Sequence, residues 1–182
     1  AETFLELGQS DECMRIIANA GKDLTRLVGD KHVYVSNALL LLSRAFMAET
    51  KFAKADTVLK RAMAVRTGAL GVGHPLLGEI YHCMAENQRL RGYFVTAAKY
   101  TAIAMQLCTT GFPANGPRAA MSKFYQAQLA RDSGNFDEAV PLYETALQVV
   151  GESLSATSWQ YAQIMGASGE CFELMGDHDK AT

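Results

Sequence analysis

The sequence predicts an all-α fold, a right-handed α-solenoid of antiparallel helix pairs. The chain matches itself without a gap at a shift of 42 residues. Phe52, Phe94 and Phe136 fall in register, as do Cys13, Ala55, Ala97, Ala139 and Ala181, and then Ala20, Ala62, Ala104 and Ala146. A fixed period of this size marks an architecture in which each unit buries its apolar face only against its neighbours. Within each unit the apolar residues recur at helical spacing in two runs. The runs meet at a glycine column, Gly8, Gly92, Gly134 and Gly176, broken only by Thr50.

One array therefore fills residues 1–182, with partial units at 1–28 and 155–182 and complete units at 29–70, 71–112 and 113–154. Each unit holds a first helix, A, and a second, B. A helix end at 1–7 and a B helix near 10–27 come first. Helices A and B follow near 33–49 and 52–68, then 75–91 and 94–110, then 117–133 and 136–151. An A helix near 158–175 comes next, and a last B helix begins at His178. The glycine column marks the A-to-B corner, where a left-handed backbone follows a helix C-terminus. Ser43, Ala85, Ala127 and Gly169 form a small column mid-helix A, and alanines form two on helix B. Small side chains let antiparallel helices approach closely. Phe52, Phe94 and Phe136, with Val58, Tyr100 and Leu142, fill the space beside them. Between B and the next A, Val28-Gly29-Asp30-Lys31-His32 recurs as Leu70-Gly71-Val72-Gly73-His74-Pro75 and more loosely as Asn115-Gly116-Pro117. Glycine closes helix B, proline suits the first turn of helix A, and His74 is expected to cap or brace the loop.

Composition bounds the function. The chain is 49% hydrophobic and 20% charged with 4 Pro, which fits a globular protein and excludes disorder. Its 17 basic and 19 acidic residues give a net charge of −2, so nothing draws it to nucleic acid or an anionic membrane. No apolar run approaches the ~20 residues that span a bilayer. The start, AETFLELGQS, does not read as a signal peptide. Cys13, Cys83, Cys108 and Cys171 form no C-x-x-C pair and have no His at metal-ligand spacing; they read as small packing residues in a reducing, intracellular compartment.

The motifs G-x-x-H-P between helices, a small residue mid-helix A, then G-x-F-x-x-A and a later alanine resemble the tetratricopeptide repeat. The 42-residue unit is similar to the long-repeat subtype of kinesin light chains, and the resemblance runs the length of the chain. It implies a tetratricopeptide superhelix that acts as a non-enzymatic protein-interaction scaffold or adaptor. A cytoplasmic setting with cytoskeletal or motor-associated neighbours goes with that subtype. Two other roles fit the same repeats: a regulatory region of a larger enzyme or signalling ATPase, and a self-associating filament element. No polar capping element closes the array, so a fragment of a longer protein within a larger complex is expected.

No catalytic constellation is present in the sequence. A phosphate-binding G-x-x-x-x-G-K-[ST] loop is missing, and Gly71-Val72-Gly73 lacks the third glycine and the strand of a dinucleotide site. Gly166-Ala167-Ser168-Gly169 misses the nucleophile-elbow spacing and lies within a helix. His32 and His74 stand one repeat apart, roughly 10 Å, too far to share a metal. Asp137 and Glu138 dress the start of a B helix, where carboxylates suit the helix dipole. No enzyme activity, cofactor or metal is expected.

The resemblance instead implies a partner site on the concave face, which A helices line in such arrays. Counted from the small column, the inward positions form four columns: Asn37, Glu79, Met121 and Gln163; Leu40, His82, Phe124 and Gly166; Arg44, Glu86, Gln128 and Glu170; and Met47, Arg89, Arg131 and Glu173. The candidate site takes Leu40, Met47, Glu79, His82, Arg89, Met121, Phe124 and Arg131 from these. Leu40, Met47, Met121 and Phe124 read as apolar residues spare to the core, a binding signature. Arg89 and Arg131 either grip a partner carboxylate or pair with Glu86 or Asp132. The expected partner is a protein helix or peptide, acidic with an apolar anchor. The asparagines with which kinesin light chains clamp a peptide backbone are replaced here by Leu40-Leu41, His82-Cys83, Phe124-Tyr125 and Gly166-Ala167. Trp159, in the column of Pro75 and Pro117, reads as core filling rather than a hot spot.

Overall fold

The computed structural model describes residues 10–177, with side chains from Met14 onward. The helix end at 1–7, Gly8, the side chain of Cys13, and the last B helix from His178 with Ala181 lie outside the described residues. Among these there are eight helices and no strand: α1 (Ser10–Val28), α2 (Val33–Ala48), α3 (Phe52–Leu70), α4 (Leu77–Arg89), α5 (Phe94–Gly111), α6 (Pro117–Asp132), α7 (Phe136–Ser153) and α8 (Trp159–Met175). Even-numbered helices are the A helices, odd-numbered the B helices, and their ends fall within two residues of expectation. Helix α4 is two residues short at each end and begins at Leu77 rather than at Pro75. Its approach is a separate turn in which the His74 carbonyl accepts from the Leu77 N–H (2.9 Å) and the Pro75 carbonyl from the Gly78 N–H (3.0 Å). Pro117, by contrast, opens α6.

Helices α2, α4 and α6 each pack on their own B helix and on the next A helix, whereas the backbones of α3, α5 and α7 stay apart from one another. A layer tight among A helices and open among B helices must curve, with A on the concave side. The core is correspondingly a string of clusters. The largest joins Phe124, Ala127, Ala139, Tyr143, Ala146, Val150, Ile164 and Cys171 from α6, α7 and α8. Ala55, Ala97 and Ala139, and then Ala62, Ala104 and Ala146, are at most 1% exposed. Phe52 and Phe136 sit partly buried beside them, but Phe94 is 36% exposed and stands at the rim instead of filling the space.

Gly92, Gly134 and Gly176 take φ of 79°, 79° and 77°. At each corner the glycine N–H and the next N–H bond back into the last turn, as Gly92 to Arg89 and Tyr93 to Gln88 do, both 2.9 Å. Thr50 reproduces the pattern, with its N–H on Met47 O and that of Lys51 on Phe46 O, at φ 56°. A β-branched residue is strained there. Thr50→Gly should therefore raise stability by about 1 kcal/mol, the strain relieved exceeding the entropy glycine adds to the unfolded chain. A melting temperature that does not rise contradicts this. Ala139→Leu should overpack the α6–α7 contact and cost ~1–3 kcal/mol, read as a lower denaturation midpoint; an unchanged midpoint would mean the contact has slack.

Candidate binding groove

The concave face carries two adjoining hollows of about 650 and 600 Å³ that share Arg44, Tyr125 and Trp159. Their walls follow the repeat. Tyr34, Leu76, Arg118 and Gln160 occupy one column, and Asn37, Glu79, Met121 and Gln163 the next. Leu41, Cys83 and Tyr125 form a third, and Arg44, Glu86 and Gln128 a fourth. The second and fourth are columns the sequence singles out. The third adjoins the column of Leu40, His82 and Phe124, which also lines the hollows, at their buried floor.

Burial corrects the reading of Leu40, Met47 and Phe124 as spare to the core. They are 8%, 6% and 1% exposed, forming only the groove floor. The Phe124 ring packs against Tyr125 and Tyr143, with centroids 5.4 and 6.2 Å away. Met121 is partly buried on the wall and Glu79 is 39% exposed at its side chain. Of the two readings of Arg89 and Arg131, the structure has the paired one. Arg89 donates to both Glu86 oxygens (2.8 and 2.9 Å) and pairs with Asp132. Arg131 reaches Asp132 at 2.9 Å and Glu170 at 2.7 Å. Together they make a charge ladder across α4, α6 and α8. Burial opposes the charge on Arg89, but hydrogen bonds to Glu86 and the charges of Glu86 and Asp132 raise its pKa further.

Two residues change meaning in three dimensions. Trp159 is 46% exposed and lines both hollows, so it is not core filling. It is the first residue of α8, a position that overhangs the open groove rather than the layer between helices. Arg66 on α3 is 1% exposed and escapes sequence reasoning altogether. Its guanidinium donates to Ser36 Oγ (2.8 Å), Leu76 O (2.7 Å), Glu79 (2.9 Å) and the Asn37 side chain. Glu79 pairs with Arg118 as well, which in turn lies over the Phe112 ring. A signal was available: Arg66 falls in a column otherwise held by Leu24, Cys108 and Val150, and a lone cation in an apolar column must find a buried partner. Arg44 hydrogen-bonds Tyr125 and Cys83, and burial pushes the Tyr125 phenol up to about 12.

His82 stacks on Tyr125 (4.7 Å) and meets Ser122 Oγ at 2.9 Å through Nε2. The Ser122 hydroxyl donates to Arg118 O, so Nε2–H is the donor and Nδ1 faces the interior without a partner. Burial lowers the His82 pKa to about 4 from its ordinary 6.5. The unfolded chain takes up this proton near pH 6.5 and the folded chain only near 4, so stability falls as pH drops through that window. The full loss is about 3 kcal/mol for a shift of this size. Denaturation midpoints at pH 7 and 4.5 should separate in the native chain and converge in His82→Gln. Equal separation in both would place the titration elsewhere. His32 and His74 brace loops, accepting from the N–H groups of Tyr34 (3.3 Å) and Leu76 (3.2 Å) through Nδ1. Among the described residues no His, Cys, Asp and Glu gather as a metal site, Cys83, Cys108 and Cys171 are buried free thiols, and no helix is long and apolar enough to cross a membrane.

Curved layers of paired helices around an A-lined groove define an array of tetratricopeptide-like repeats. The tetratricopeptide-repeat family model matches residues 118–182. No curated protein matches the sequence. The structure of BtubC (BKLC) from P. vanneervenii is similar with a TM-score of 0.70 at 19% identity, over 94% of this chain and 69% of that one. The nearly identical TPR-like repeats of a Podosopora anserina protein described as a kinesin light chain are similar with a TM-score of 0.62 at 17% identity, over 99% of this chain and 85% of that one. Such likeness fixes the fold, that of kinesin light chain-like repeats. Tetratricopeptide repeats generally serve as protein-interaction scaffolds and typically lack enzymatic activity.

Proposed function

We propose that this array is a non-enzymatic adaptor that receives a helix or peptide of a partner protein in its concave groove. The observation that carries the reading is the exposure of Trp159 and Tyr34, 46% and 56%, at the lip of a hollow large enough for several side chains. Aromatic groups left in a groove are what interface centres are made of. Met121 and Leu41 extend the apolar wall between them. Around the same hollow Arg118, its side chain 40% exposed, shares the carboxylate of Glu79 with the buried Arg66, and Arg44 lies beside them, so a partner with an acidic group beside an apolar anchor is favoured. Arg89 and Arg131, bound to their own carboxylates, act as framework and not as the grip. The kinesin light chain-like repeats make a cytoskeletal or motor-associated assembly in the cytoplasm the natural setting.

Trp159 is the one tryptophan, so its emission reports directly on the groove. Titration with acidic peptides bearing an apolar anchor should shift that emission, and lysine-for-acid peptides should not. By polarisation of labelled peptide, Trp159→Ala should weaken binding by ~2 kcal/mol or more, and Arg118→Glu should weaken it and alter its salt dependence. Lys22→Glu, on the outer face of α1, should leave it unchanged. Binding lost only in the Lys22 variant would move the site off the concave face.

A further inference from the structure

The outer face of the middle repeat is unlike its neighbours. Helix α5 carries one charged residue, Lys99, in eighteen. Val95 is 75% exposed on it, Ile103 38%, and Phe94 36%, with Tyr93 at 54% just ahead. The flanking B helices have opposite charge at equivalent positions. Lys54 and Lys60 on α3, the latter paired with Asp56 at 2.7 Å, correspond to Thr96 and Ala102 on α5 and to Glu138 and Glu144 on α7. Helix α7 has four carboxylates and no basic residue. The convex face therefore runs from basic through apolar to acidic over three successive ridges. Because the B-helix backbones stand apart, a groove opens beside α5, a hollow of about 420 Å³ walled by Val95, Ala98, Ala102, Met105 and Leu129 with Glu138 at its edge.

We propose that this face is a dimer interface occupied by a second copy of the same chain. A two-fold axis parallel to α5 and displaced over the groove beside it lays the ridge of one copy in the groove of the other and sets α3 of each copy near α7 of the other. The apolar stripe then meets itself, and each basic α3 lies against an acidic α7. Alanines at 98 and 102 keep the ridge narrow enough for close helix contact. Such an isologous patch needs only to be self-complementary, with an apolar centre and a charged rim. An anionic partner is repelled by α7, and a basic helix from another protein satisfies α7 but leaves α3 unmatched; a second copy uses both. This surface lies opposite the concave groove, so the proposal stands or falls apart from the function proposed above.

Sedimentation equilibrium of the chain through the micromolar range tests it. A monomer–dimer equilibrium weakened by salt is expected, and Val95→Glu with Ile103→Glu should weaken it by at least about tenfold while circular dichroism and melting stay native, both sites being exposed. Lys54→Glu with Lys60→Glu, or Glu138→Lys with Glu144→Lys, should each disfavour the dimer, and the combination of all four should restore it. A chain monomeric throughout, a dimer indifferent to the Val95/Ile103 variant, four reversals that do not rescue, or a monomer that instead captures a basic amphipathic peptide on α5 each overturn the proposal.

Discussion

How near a B helix can come to its A helix is the constraint on which this molecule depends. Two alanine columns, Ala55/Ala97/Ala139 and Ala62/Ala104/Ala146, set that distance, and their burial to 1% exposure or less means there is no slack in it. Neither column contributes much hydrophobic area of its own. Their role is to let the larger neighbours, Leu59, Ile80, Tyr143 and Ile164, reach across the seam and be fully buried. Pairs of helices so joined have one further way to bury apolar surface, which is to stack. The A helices stack closely and the B helices do not, so the array curves and a groove results. The groove is thus a by-product of a packing distance.

Stacking of small apolar repeats leaves register along the array weakly specified, and here charge supplies it. Arg66 leaves its own repeat by way of Glu79, and Glu79 leads on to Arg118, so one chain of contacts joins α3, α4 and α6. A second runs from Glu86 through Arg89, Asp132 and Arg131 to Glu170, joining α4, α6 and α8. The first is the more exacting. Arg66 is inaccessible to water, and a buried guanidinium deprived of its carboxylate is a defect of about 3–5 kcal/mol. Its remaining donors are taken by Ser36, Asn37 and the Leu76 carbonyl, so the partners are fixed in direction as well as in charge. A slip of one repeat against the next would strand it.

The fold was legible in the sequence because every repeat solves the same problem with the same residues: glycine where φ must be positive, alanine where helices touch, phenylalanine at the start of B. The concave columns at Asn37/Glu79/Met121 and Arg44/Glu86/Gln128 followed from counting. Side-chain direction was less legible. Columns 40/82/124 and 41/83/125 differ by one residue, about a quarter of a helical turn, and that step separates a buried Phe124 on the groove floor from a half-buried Tyr125 beside it. Periodicity cannot resolve it, since both columns hold apolar residues. Trp159 was misread for a related reason. Large aromatics are mostly buried, but the first residue of a helix answers to the loop before it and to the open side of the groove, not to the helix's apolar stripe. The pairing of Arg89 and Arg131 depended on side-chain reach between repeats, which spacing along the chain does not encode.

What distinguishes this array from any other of its period therefore lies in the departures from its own repeat. Thr50 stands where glycine belongs, Arg66 where an aliphatic side chain belongs, and Trp159 where two other repeats have proline. Helix α5 lacks the charges that both neighbouring B helices carry at the same positions. Arg66 raises the local stakes of register, while Trp159 and the bare face of α5 leave apolar surface in water that the solenoid itself does not require. A repeat protein has little freedom in its seams, since a change there is repeated in effect by every neighbour it displaces. Its two faces are free of that constraint. Residues that break the pattern on a face without serving a seam fall here on opposite sides of the same layer: an aromatic groove lined by arginines within, and an apolar ridge between opposite charges without.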